Sequence, residues 1–518
     1  MDQLANADRL TRRRMLQGAA AVAAASLVTG FDGCGSPSAA PAAAGPAPPT
    51  PTNAAPSRQQ PVPAGPLVQA SVSVSAVSAG AIAPAFAGLS YEKGMLCTPL
   101  FTGANSNLIA LFQRLGPSVL RIGGNSVDKN VWTPQGAGQT PGQIAPPDVD
   151  ALAAFVKATG WQCLYGVNLG GAASGATSPA MAAAEVQYAA QQLGSALAGI
   201  EIGNECDLYG GTGHYFAGNW SLAQFITLWQ VYRQAILAST PAVAITGPAS
   251  ASHEAAWTVP FGQTVTKNEI SLLTQHYYRG NGQSPSSTAA ALISPDPNLV
   301  NDLALLKSGA AAIGVPYRMA ECNSYYNGGA DGVSDSYASA LWVIDFLFNC
   351  AQGGAVGVNF HGGGNSSGYT PIANSGGSVI EARPEYYGML LFALAGPGAL
   401  YATQVAAASL NVTGYAIKTA DGLNLVLVNK DPTQNLQMSV TLPQPMQTAT
   451  LLAMTQSSGG AAAPQLTATS GVSIQGAAVN PDGTFAPAPA YTLTPSGSNQ
   501  SQLTCYLPAL SAVLIQAS

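Results

Sequence analysis

The chain has 518 residues, a net charge of −6 and only 8% charged residues, where an average soluble protein has roughly 25%. This charge balance is unlike that of a nucleic-acid-binding protein, so we expect no nucleic-acid partner. The length allows a large core and more than one domain, and we expect the chain to act as a monomer.

The N-terminal segment has the pattern of an export signal. Arg12, Arg13 and Arg14 precede the apolar run 18–28, which is too short to span a bilayer as a helix. This arrangement predicts a twin-arginine signal over residues 1–35, and therefore export to the periplasm, the cell surface or the medium. Cys34 follows a glycine, as in a lipoprotein processing site, but the residues before it depart from the usual pattern. Lipid anchoring at Cys34 therefore stays open.

Two short segments separate this signal from the body of the chain. Residues 36–66 are rich in proline and alanine, a composition that cannot pack a core and suits a semi-rigid tether. Residues 67–80 alternate apolar and polar side chains, which predicts a strand that joins a later β-domain.

Residues 81–398 alternate short apolar runs with helix-like segments. The apolar runs have the length of buried strands and end in polar or glycine-rich residues; they are 86–90, 119–123, 162–168, 199–203, 243–247, 271–276, 317–320 and 356–360. The helix-like segments between them include 148–159, 182–197, 222–237, 298–313 and 334–350. The alternation predicts an α/β fold with a (β/α)8 TIM barrel. The alternative is a doubly wound open sheet, but the glycine-rich phosphate fingerprint usual after its first strand is absent here.

Beyond residue 399 the pattern changes to short alternating strands without a long helix. Segments 415–419 and 424–429 flank the turn Asp421-Gly422 and predict a hairpin. We therefore expect a C-terminal all-β sandwich domain over residues 399–518, which acts as a support and not as a second active site.

Two glutamates stand directly after predicted barrel strands. Glu205 follows the fourth strand and Glu321 follows the seventh. Barrel enzymes place their chemistry at the C-terminal ends of strands, and these two strands face each other, so the carboxyl groups should converge across the mouth. A protonated and an ionised carboxyl that flank one bond are the equipment of glycoside hydrolysis, which needs no metal ion or other cofactor. The loop after the eighth strand adds His361 and Tyr369 as pocket candidates.

Five motifs in chain order resemble a known family. They are GLSYEKG (88–94), LRIGGNSVD (120–128), EIGNE (201–205), QHYY (275–278) and AECNSYYNGG (320–329). With these motifs the sequence resembles glycoside hydrolase family 79, a group of clan A retaining glycosidases that holds β-glucuronidases and heparanases. The resemblance extends from about residue 68 to the C-terminus and implies a barrel and a sandwich in the same order.

The resemblance implies a role for each residue that matches a motif. Glu205 would be the general acid/base, and Glu321 would be the nucleophile. Asn204 would hydrogen-bond the sugar 2-OH, an interaction that strengthens in the transition state. Arg121 and His276, at the ends of strands two and six, would help to orient the nucleophile. A structural ion pair at Arg121 and a satisfied polar residue at His276 are the alternatives.

Recognition of a glucuronate carboxylate requires hydrogen-bond donors, and no Arg or Lys stands in the segment 322–329 that follows Glu321. Tyrosine hydroxyls and backbone N–H groups can supply donors instead; the candidates are Tyr277, Tyr325, Tyr326, Asn327, Gly328 and Gly329. An aromatic wall that stacks on a neutral sugar is the alternative. Glu92 would accept a hydrogen bond from a ring hydroxyl, or would form an ion pair in the neighbourhood of Lys93.

Other polar residues are assigned by position along the chain. Most cysteines should be small buried hydrophobes with few disulfides, although a bridge between Cys206 and Cys322 is conceivable. Glu185, Asp302 and Asp345 fall on predicted helices, and we expect them to face solvent.

The leading interpretation is an exported, exo-acting retaining β-glucuronidase that removes terminal glucuronic acid, or its 4-O-methyl form, from glycans. A clan A glycosidase that acts on a neutral sugar, such as an arabinofuranosidase or a xylosidase, is one alternative. A heparanase-like endo-glucuronidase is another, but it would want a basic cluster for sulfate groups. A non-catalytic carbohydrate-binding surface protein is the third, and binding alone would not need the glutamate pair.

Overall fold

The computed structural model describes residues 58–211, 214–216, 218, 220–457 and 463–518. The predicted export signal, Cys34 and most of the predicted tether lie outside the described residues. In the part of the chain that is described, none of the helices combines the length and apolar character needed to cross a membrane. The last tether residues, 58–66, lie along the β-domain, where the Gln60 side chain hydrogen-bonds both the N–H and the C=O of Tyr506.

The strands form where apolar and β-branched residues are concentrated. Numbered along the described chain, they are β1 (Leu67–Ile82), β2 (Ala87–Glu92), β3 (Val119–Gly123), β4 (Val131–Trp132), β5 (Gln143–Ile144), β6 (Gln162–Val167), β7 (Leu197–Ile202), β8 (Ile245–Ser250), β9 (Leu272–Tyr278), β10 (Tyr317–Asn323), β11 (Val358–Gly362), β12 (Ile372–Ser375), β13 (Ser378–Ala382), β14 (Gly398–Ala406), β15 (Val412–Lys418), β16 (Leu423–Asn429), β17 (Asn435–Thr441), β18 (Ala449–Gln456), β19 (Val472–Ile474), β20 (Tyr491–Leu493), β21 (Gln502–Leu507) and β22 (Ser511–Ala517).

The helices begin and end at residues suited to those positions. They are α1 (Ser106–Arg114), α2 (Pro146–Thr159), α3 (Pro179–Leu193), α4 (Leu222–Ser239), α5 (Val259–Val265), α6 (Ala289–Leu292), α7 (Pro297–Ile313), α8 (Tyr337–Gln352) and α9 (Pro384–Ala395). The side chains of Asn105, Ser178 and Ser221 cap α1, α3 and α4 by accepting hydrogen bonds from first-turn N–H groups. Gly160 and Gly314 end α2 and α7 in the left-handed conformation that glycine adopts without strain.

Eight parallel strands close into a barrel in the order β10-β11-β2-β3-β6-β7-β8-β9, and β9 pairs with β10 to complete it. This confirms the predicted α/β class and the TIM barrel. Several strands run past their predicted C-terminal ends, as β2 does through Glu92 and β9 does through Tyr278. Among the added residues, Glu92 and Tyr278 lie at the barrel mouth, where they contact His361 and Glu321. The strand ends therefore carry the residues that matter most for the site.

The C-terminal region is a sheet that folds over on itself. Its strands follow the order β19-β18-β22-β16-β15-β14-β1-β17-β21, with β20 paired to β18. Strand β1 pairs antiparallel with β14 and parallel with β17, so the segment before the barrel completes the domain after it. The two layers enclose an apolar core of their own, to which Val72, Leu427 and Leu507 contribute. The mostly-β sandwich after the barrel is confirmed.

The sandwich packs against α8 and α9 of the barrel. The Tyr415 ring stacks on Phe348 with centroids 4.2 Å apart, and the Tyr337 hydroxyl donates to the Leu510 carbonyl at 2.8 Å. Asp345 lies in this interface, where it accepts from the Tyr415 hydroxyl at 2.9 Å and forms an ion pair with Lys430. The expectation that Asp345 faces solvent was wrong, because its helix is covered by the sandwich.

Glu185 was also wrongly expected to face solvent. It is buried between α3 and the barrel, pairs with the fully buried Lys93, and accepts from the Tyr165 hydroxyl at 2.8 Å. The described cysteines are free: Cys97, Cys163, Cys206, Cys322, Cys350 and Cys505. The conceivable bridge between Cys206 and Cys322 is therefore not formed.

Candidate active site

Glu321 lies buried at the C-terminal end of β10 and is held by several donors. Its Oε2 accepts from Arg121 Nη1 at 2.7 Å, and its Oε1 accepts from the Tyr278 hydroxyl at 2.8 Å. Burial alone would raise the pKa of this carboxyl. The positive charges of His361, His276 and Arg121 outweigh burial and, with the Tyr278 hydrogen bond, hold the pKa well below its usual value. Glu321 is therefore ionised across the working pH range of ordinary enzymes.

Glu205 follows β7 and faces Glu321 across the barrel mouth. One carboxylate oxygen of each, together with a ring nitrogen of His276, lie within 4.8 Å of one another. His276 Nδ1 lies 3.1 Å from Glu205 Oε1, and the Glu205 side chain remains 16% exposed. The backbone of Glu205 is left-handed, with φ of 50° and ψ of 47°, and such a conformation costs on the order of 1 kcal/mol or more in a non-glycine residue. Its N–H bond to the Ala249 carbonyl at 2.8 Å holds this turn in place.

Arg121 connects Glu321 to the barrel interior. Its guanidinium is fully buried and donates from Nε to Glu201 Oε2 at 2.5 Å and from Nη2 to Asn204 Oδ1 at 2.9 Å, in addition to the Glu321 contact. Burial would lower the pKa of Arg121, but the carboxylates of Glu201 and Glu321 outweigh burial and raise the pKa above its usual value. The guanidinium is therefore permanently charged. Arg121 thus has both of the roles considered from the sequence, an ion pair and a contact to the nucleophile candidate.

Glu201 was missed by the sequence reasoning. It sits within β7 with isoleucines on both sides and is fully buried. A single carboxylate inside an apolar strand needs a buried cation to offset its desolvation, and this requirement is the signal that could have linked Glu201 to Arg121.

Asn204 is held by contacts on both its side chain and its backbone. Its Oδ1 accepts from Arg121, and its N–H donates to the Tyr209 hydroxyl at 3.2 Å. The Tyr209 hydroxyl in turn donates to Asp128 Oδ2 at 2.5 Å, and Asp128 Oδ1 accepts from the Leu169 N–H at 2.9 Å. Asp128 is therefore a buried support of the mouth.

Glu92 and His361 form the opposite wall. Glu92 is half-buried and accepts from the backbone N–H groups of Asn125 and Ser126, at 3.2 and 2.7 Å. His361 Nε2 lies 3.7 Å from Glu92 Oε1, and its Nδ1 hydrogen-bonds Ser90 Oγ at 3.0 Å. Burial raises the pKa of Glu92, yet the positive charge of His361 and the hydrogen bond from Ser126 bring it below its usual value. Burial lowers the pKa of His361, yet the charge of Glu321 raises it overall.

The structure does not bring Tyr277 to the glutamate pair. Side chains alternate along a strand, so His276 and Tyr278 point into the barrel while Tyr277 points out. The Tyr277 hydroxyl donates to Asp296 Oδ2 at 2.6 Å, and its ring packs on Phe346. Tyr278, which the sequence reasoning did not select, contacts Glu321 instead.

Tyr325 is likewise turned away from the pair. Its ring is buried, and its hydroxyl lies 3.4 Å from the Thr288 carbonyl. The neighbouring Tyr326 differs, since 45% of it is exposed. Of the two adjacent tyrosines, only Tyr326 is available to a ligand.

The loop after β10 contacts Tyr369, which belongs to the loop after β11 and lies beside Tyr278. The Gly328 carbonyl accepts from the Tyr369 N–H at 3.2 Å, and the Tyr369 ring lies 5.7 Å from the Tyr278 ring. Gly329 has a φ of 94°, and a Cβ there would come within 2.6 Å of the Tyr369 nitrogen. Asn327 also has a left-handed backbone, with a φ of 63°. The close approach of these two segments therefore requires glycine at position 329.

Glu205, His276 and Glu321 also have the ligand types that hold metal ions. The Arg121 guanidinium already occupies Glu321 Oε2 at 2.7 Å, so a divalent cation bound there would lie beside a fixed positive charge. This repulsion makes the group poorly suited to a metal ion.

No model of a known protein family matches the chain. A β-glucuronidase from Aspergillus niger is 25% identical over 308 residues, which cover 53% of this chain and 56% of that protein. A β-glucuronidase from Neurospora crassa is 31% identical over 134 residues, which cover 24% of this chain and 23% of that protein. The chain therefore matches about half the length of the first relative and about a quarter of the second.

Solved structures are similar over most of the chain. A 4-O-α-L-rhamnosyl-β-D-glucuronidase from Fusarium oxysporum 12S, in complex with Rha-GlcA, has a TM-score of 0.66 and 16% identity, and covers 86% of this chain and 100% of that one. A family 51 arabinofuranosidase from Xanthomonas axonopodis pv. citri has a TM-score of 0.61 and 17% identity, and covers 87% and 100%. At these identities the likeness concerns the fold, and it supports the barrel with its C-terminal sandwich.

Proposed function

We propose that the chain is a retaining glycoside hydrolase that removes terminal β-linked glucuronic acid from glycans. The observation that carries the proposal is the approach of the Glu205 and Glu321 carboxylates, which have oxygens within 4.8 Å of each other across the barrel mouth. Retaining glycosidases hold their carboxyl groups about 5–5.5 Å apart, while inverting enzymes leave about 6.5–9.5 Å for a water molecule.

In the first step, a carboxylate oxygen of Glu321 attacks the anomeric carbon of the sugar. The glycosidic bond breaks while Glu205 gives its proton to the departing oxygen, so that the aglycone leaves as an alcohol. The product is an ester between the sugar and Glu321. Because Arg121 and Tyr278 both donate to Glu321, its carboxylate is oriented before the substrate arrives.

In the second step, the Glu205 carboxylate takes a proton from water, and the water oxygen attacks the anomeric carbon. The ester bond to Glu321 breaks, glucuronic acid leaves with its original anomeric configuration, and both glutamates return to their starting states. Asn204, whose Oδ1 is taken by Arg121, would use Nδ2 to donate to the sugar 2-OH. Glu92 would accept from a ring hydroxyl.

The choice of a uronic acid rests on the relatives and on the donors at the mouth. Both curated relatives are named β-glucuronidase, and the rhamnosyl-glucuronidase structure contains Rha-GlcA. Tyr326, which is 45% exposed, Tyr369 and the backbone N–H groups around Gly328 would offer donors to a sugar carboxylate. An exo mode and membership of family 79 are part of the same proposal.

A hydrolase for a neutral sugar is the second candidate. Arg121 is fully buried and already paired with two carboxylates, so it is not available to bind a sugar carboxylate. A carboxylate at the mouth would thus depend on neutral donors, which serve a neutral pentose equally well.

Hydrolysis of aryl β-glucuronide, β-glucoside, β-xyloside and α-arabinofuranoside by one preparation tests the proposal. Turnover of the glucuronide alone supports it, and turnover of a neutral glycoside alone overturns the uronate assignment. NMR of the first product separates retention from inversion, and a first-formed α-anomer would refute the nucleophile role of Glu321. A chelator should leave the rate unchanged, and loss of activity that added metal restores would show that the carboxyl pair holds an ion.

A further inference from the structure

His361 lies between two carboxylates at the barrel mouth, and one of them faces each ring nitrogen. Its Nδ1 is 3.6 Å from Glu321 Oε2, and its Nε2 is 3.7 Å from Glu92 Oε1. The His361 side chain is only 7% exposed, so water and salt screen these contacts poorly. The arrangement favours a ring that is protonated on both nitrogens while both carboxylates are ionised.

Ser90 can bond His361 in either protonation state. Its hydroxyl is buried, lies 3.0 Å from His361 Nδ1, and accepts from Arg121 Nη1 at 3.3 Å. A hydroxyl rotates, so it can accept a hydrogen bond from a protonated Nδ1 or donate its own hydrogen to a bare one. In the neutral ring the remaining proton then stays on Nε2, which faces Glu92. The ring can therefore lose a proton without leaving Nδ1 buried and unpaired.

The groups around His361 act on its charge in opposite directions. Burial lowers the pKa of His361, and the Arg121 guanidinium acts in the same sense. The charge of Glu321, which is the largest of the raising causes, and that of Glu92 outweigh both. The Tyr369 ring lies 6.1 Å from the His361 ring and is held in the neutral form by a raised pKa. Of these groups, Glu321 is the one that the proposed reaction converts from an anion into a neutral ester.

We propose that His361 is a positioning residue for Glu321, which carries an extra proton while Glu321 is ionised and releases it when Glu321 forms the sugar ester. The Nδ1 proton passes to solvent, the ring keeps its proton on Nε2, and the Ser90 hydroxyl turns to donate to Nδ1. In the second step Glu321 leaves as a carboxylate, and Nδ1 takes a proton back from solvent. His361 thus loses and regains one proton in each turnover. This proton release rests on the proposed hydrolase function, which supplies the ester.

NMR of the protein labelled with ¹³C at histidine Cε1 can follow this titration, because the chain has only four histidines. The signal that is missing from His361→Asn identifies His361. Glu321→Gln imitates the loss of charge without any substrate, and the midpoint of the His361 titration should move about 1–3 pH units lower. Glu205→Gln is the matched control, since Glu205 contacts His276 at the same mouth, and the His361 midpoint should stay in place.

The second measurement uses the unmodified protein trapped as its ester with 2-deoxy-2-fluoro-β-D-glucuronyl fluoride. The His361 midpoint should again move lower, and the neutral ring should carry its proton on Nε2. This arm also keeps the test valid if Glu321→Gln folds poorly. A midpoint that is the same in the free protein and in the ester, or a neutral ring protonated on Nδ1, would overturn the proton release while leaving the hydrolase in place. If no ester forms on Glu321, the proposed function is overturned, and the proton release with it.

Discussion

Two buried glutamates at the same end of the barrel have pKa values that are shifted in opposite directions. Glu321 and Glu385 are both almost wholly buried, and Glu385 lies close to the end of β10, where Asn323 Nδ2 donates to its Oε2 at 3.2 Å. Burial and partners together hold the pKa of Glu321 well below 4.5, whereas burial raises the pKa of Glu385 to about 8.

The pKa values differ because different residues contact the two carboxyls, and not because one carboxyl is buried more deeply than the other. Glu321 receives a guanidinium contact and a tyrosine hydroxyl, and two histidines lie near it. Glu385 receives one amide, and its Oε1 has no hydrogen-bond partner among the described residues. Of these two buried carboxyls, the one with the lowered pKa is the one beside cations, and those cations surround the candidate nucleophile.

The largest expected effect follows from removal of the ionised carboxylate. Glu321→Ala should lower kcat on the aryl glucuronide at least about 10⁴-fold, because no group remains to form the sugar ester. Azide, a small nucleophile, should restore turnover and yield the α-glucuronyl azide. Glu205→Ala is the control, since it should spare substrates with good leaving groups and give the β-azide. A β-azide from Glu321→Ala would contradict the assignment.

Glu385→Gln tests whether the buried carboxyl of Glu385 is protonated in the folded protein. The folded state raises the pKa of Glu385 from 4.5 to about 8, so between these values the folded protein holds a proton that the unfolded chain has lost. The contribution of Glu385 to stability is therefore complete below about pH 4.5 and is lost as the pH rises towards 8. Between pH 4.5 and pH 8 the unmodified protein should lose on the order of 4 kcal/mol of its free energy of unfolding through Glu385. The variant should not show this loss, because glutamine cannot ionise. Urea unfolding at both pH values measures this, and a parallel pH dependence in both proteins would refute it.

Arg121→Met should make Glu321 more like Glu385. With one cation removed, the pKa of Glu321 should rise, and the acidic limb of the kcat/KM profile should move to higher pH. We expect kcat/KM at its optimum to fall about 100-fold, the equivalent of two pKa units of lost stabilisation. Arg121→Lys keeps the charge and should hold the acidic limb in place, which also keeps the test valid if the methionine variant folds poorly. If the acidic limb of a folded Arg121→Met protein stays at the same pH, the charges of the two histidines are enough to keep Glu321 ionised.

The smallest effect concerns the tyrosine hydroxyl on Glu321. Tyr278→Phe removes one hydrogen bond and should lower kcat/KM about 10-fold, as expected for a hydrogen bond to a charged group. Tyr277→Phe is the matched control, because the adjacent hydroxyl bonds Asp296 outside the barrel and should leave kcat/KM within about twofold. A larger loss at Tyr277 than at Tyr278 would reverse the assignment of the two side chains.

The fold was largely predictable from the sequence because buried strands and amphipathic helices leave strong local patterns. Each predicted barrel strand overlaps an observed one, but polar residues such as Glu92 and Tyr278 belong to strands that a purely apolar pattern ends too early. Pairing partners such as Lys93 with Glu185 were not predictable, because they join positions that are distant along the chain.

The convergence of the Glu205 and Glu321 carboxyl groups was predictable, because both residues follow barrel strands that face each other. The sequence reasoning selected Tyr277 although the sequence contained the signal for Tyr278. His276 and Tyr278 share a face of β9 because residues two apart in a strand point to the same side, so a site that includes His276 also includes Tyr278. The Arg121–Glu201 ion pair was not predictable, because its two residues are 80 positions apart and meet only inside the closed barrel.

The clasp of Asp345 by Lys430 and Tyr415 has a consequence for how this protein can be cut or recombined. Asp345 lies on α8, the helix that follows the Glu321 strand, and Tyr337 of the same helix is bonded to the sandwich at Leu510. A chain that stops after the barrel would leave Asp345 without its cation and an aromatic face of α8 in water. The barrel is thus not a portable module, and an engineer who wants its chemistry must transplant the sandwich with it.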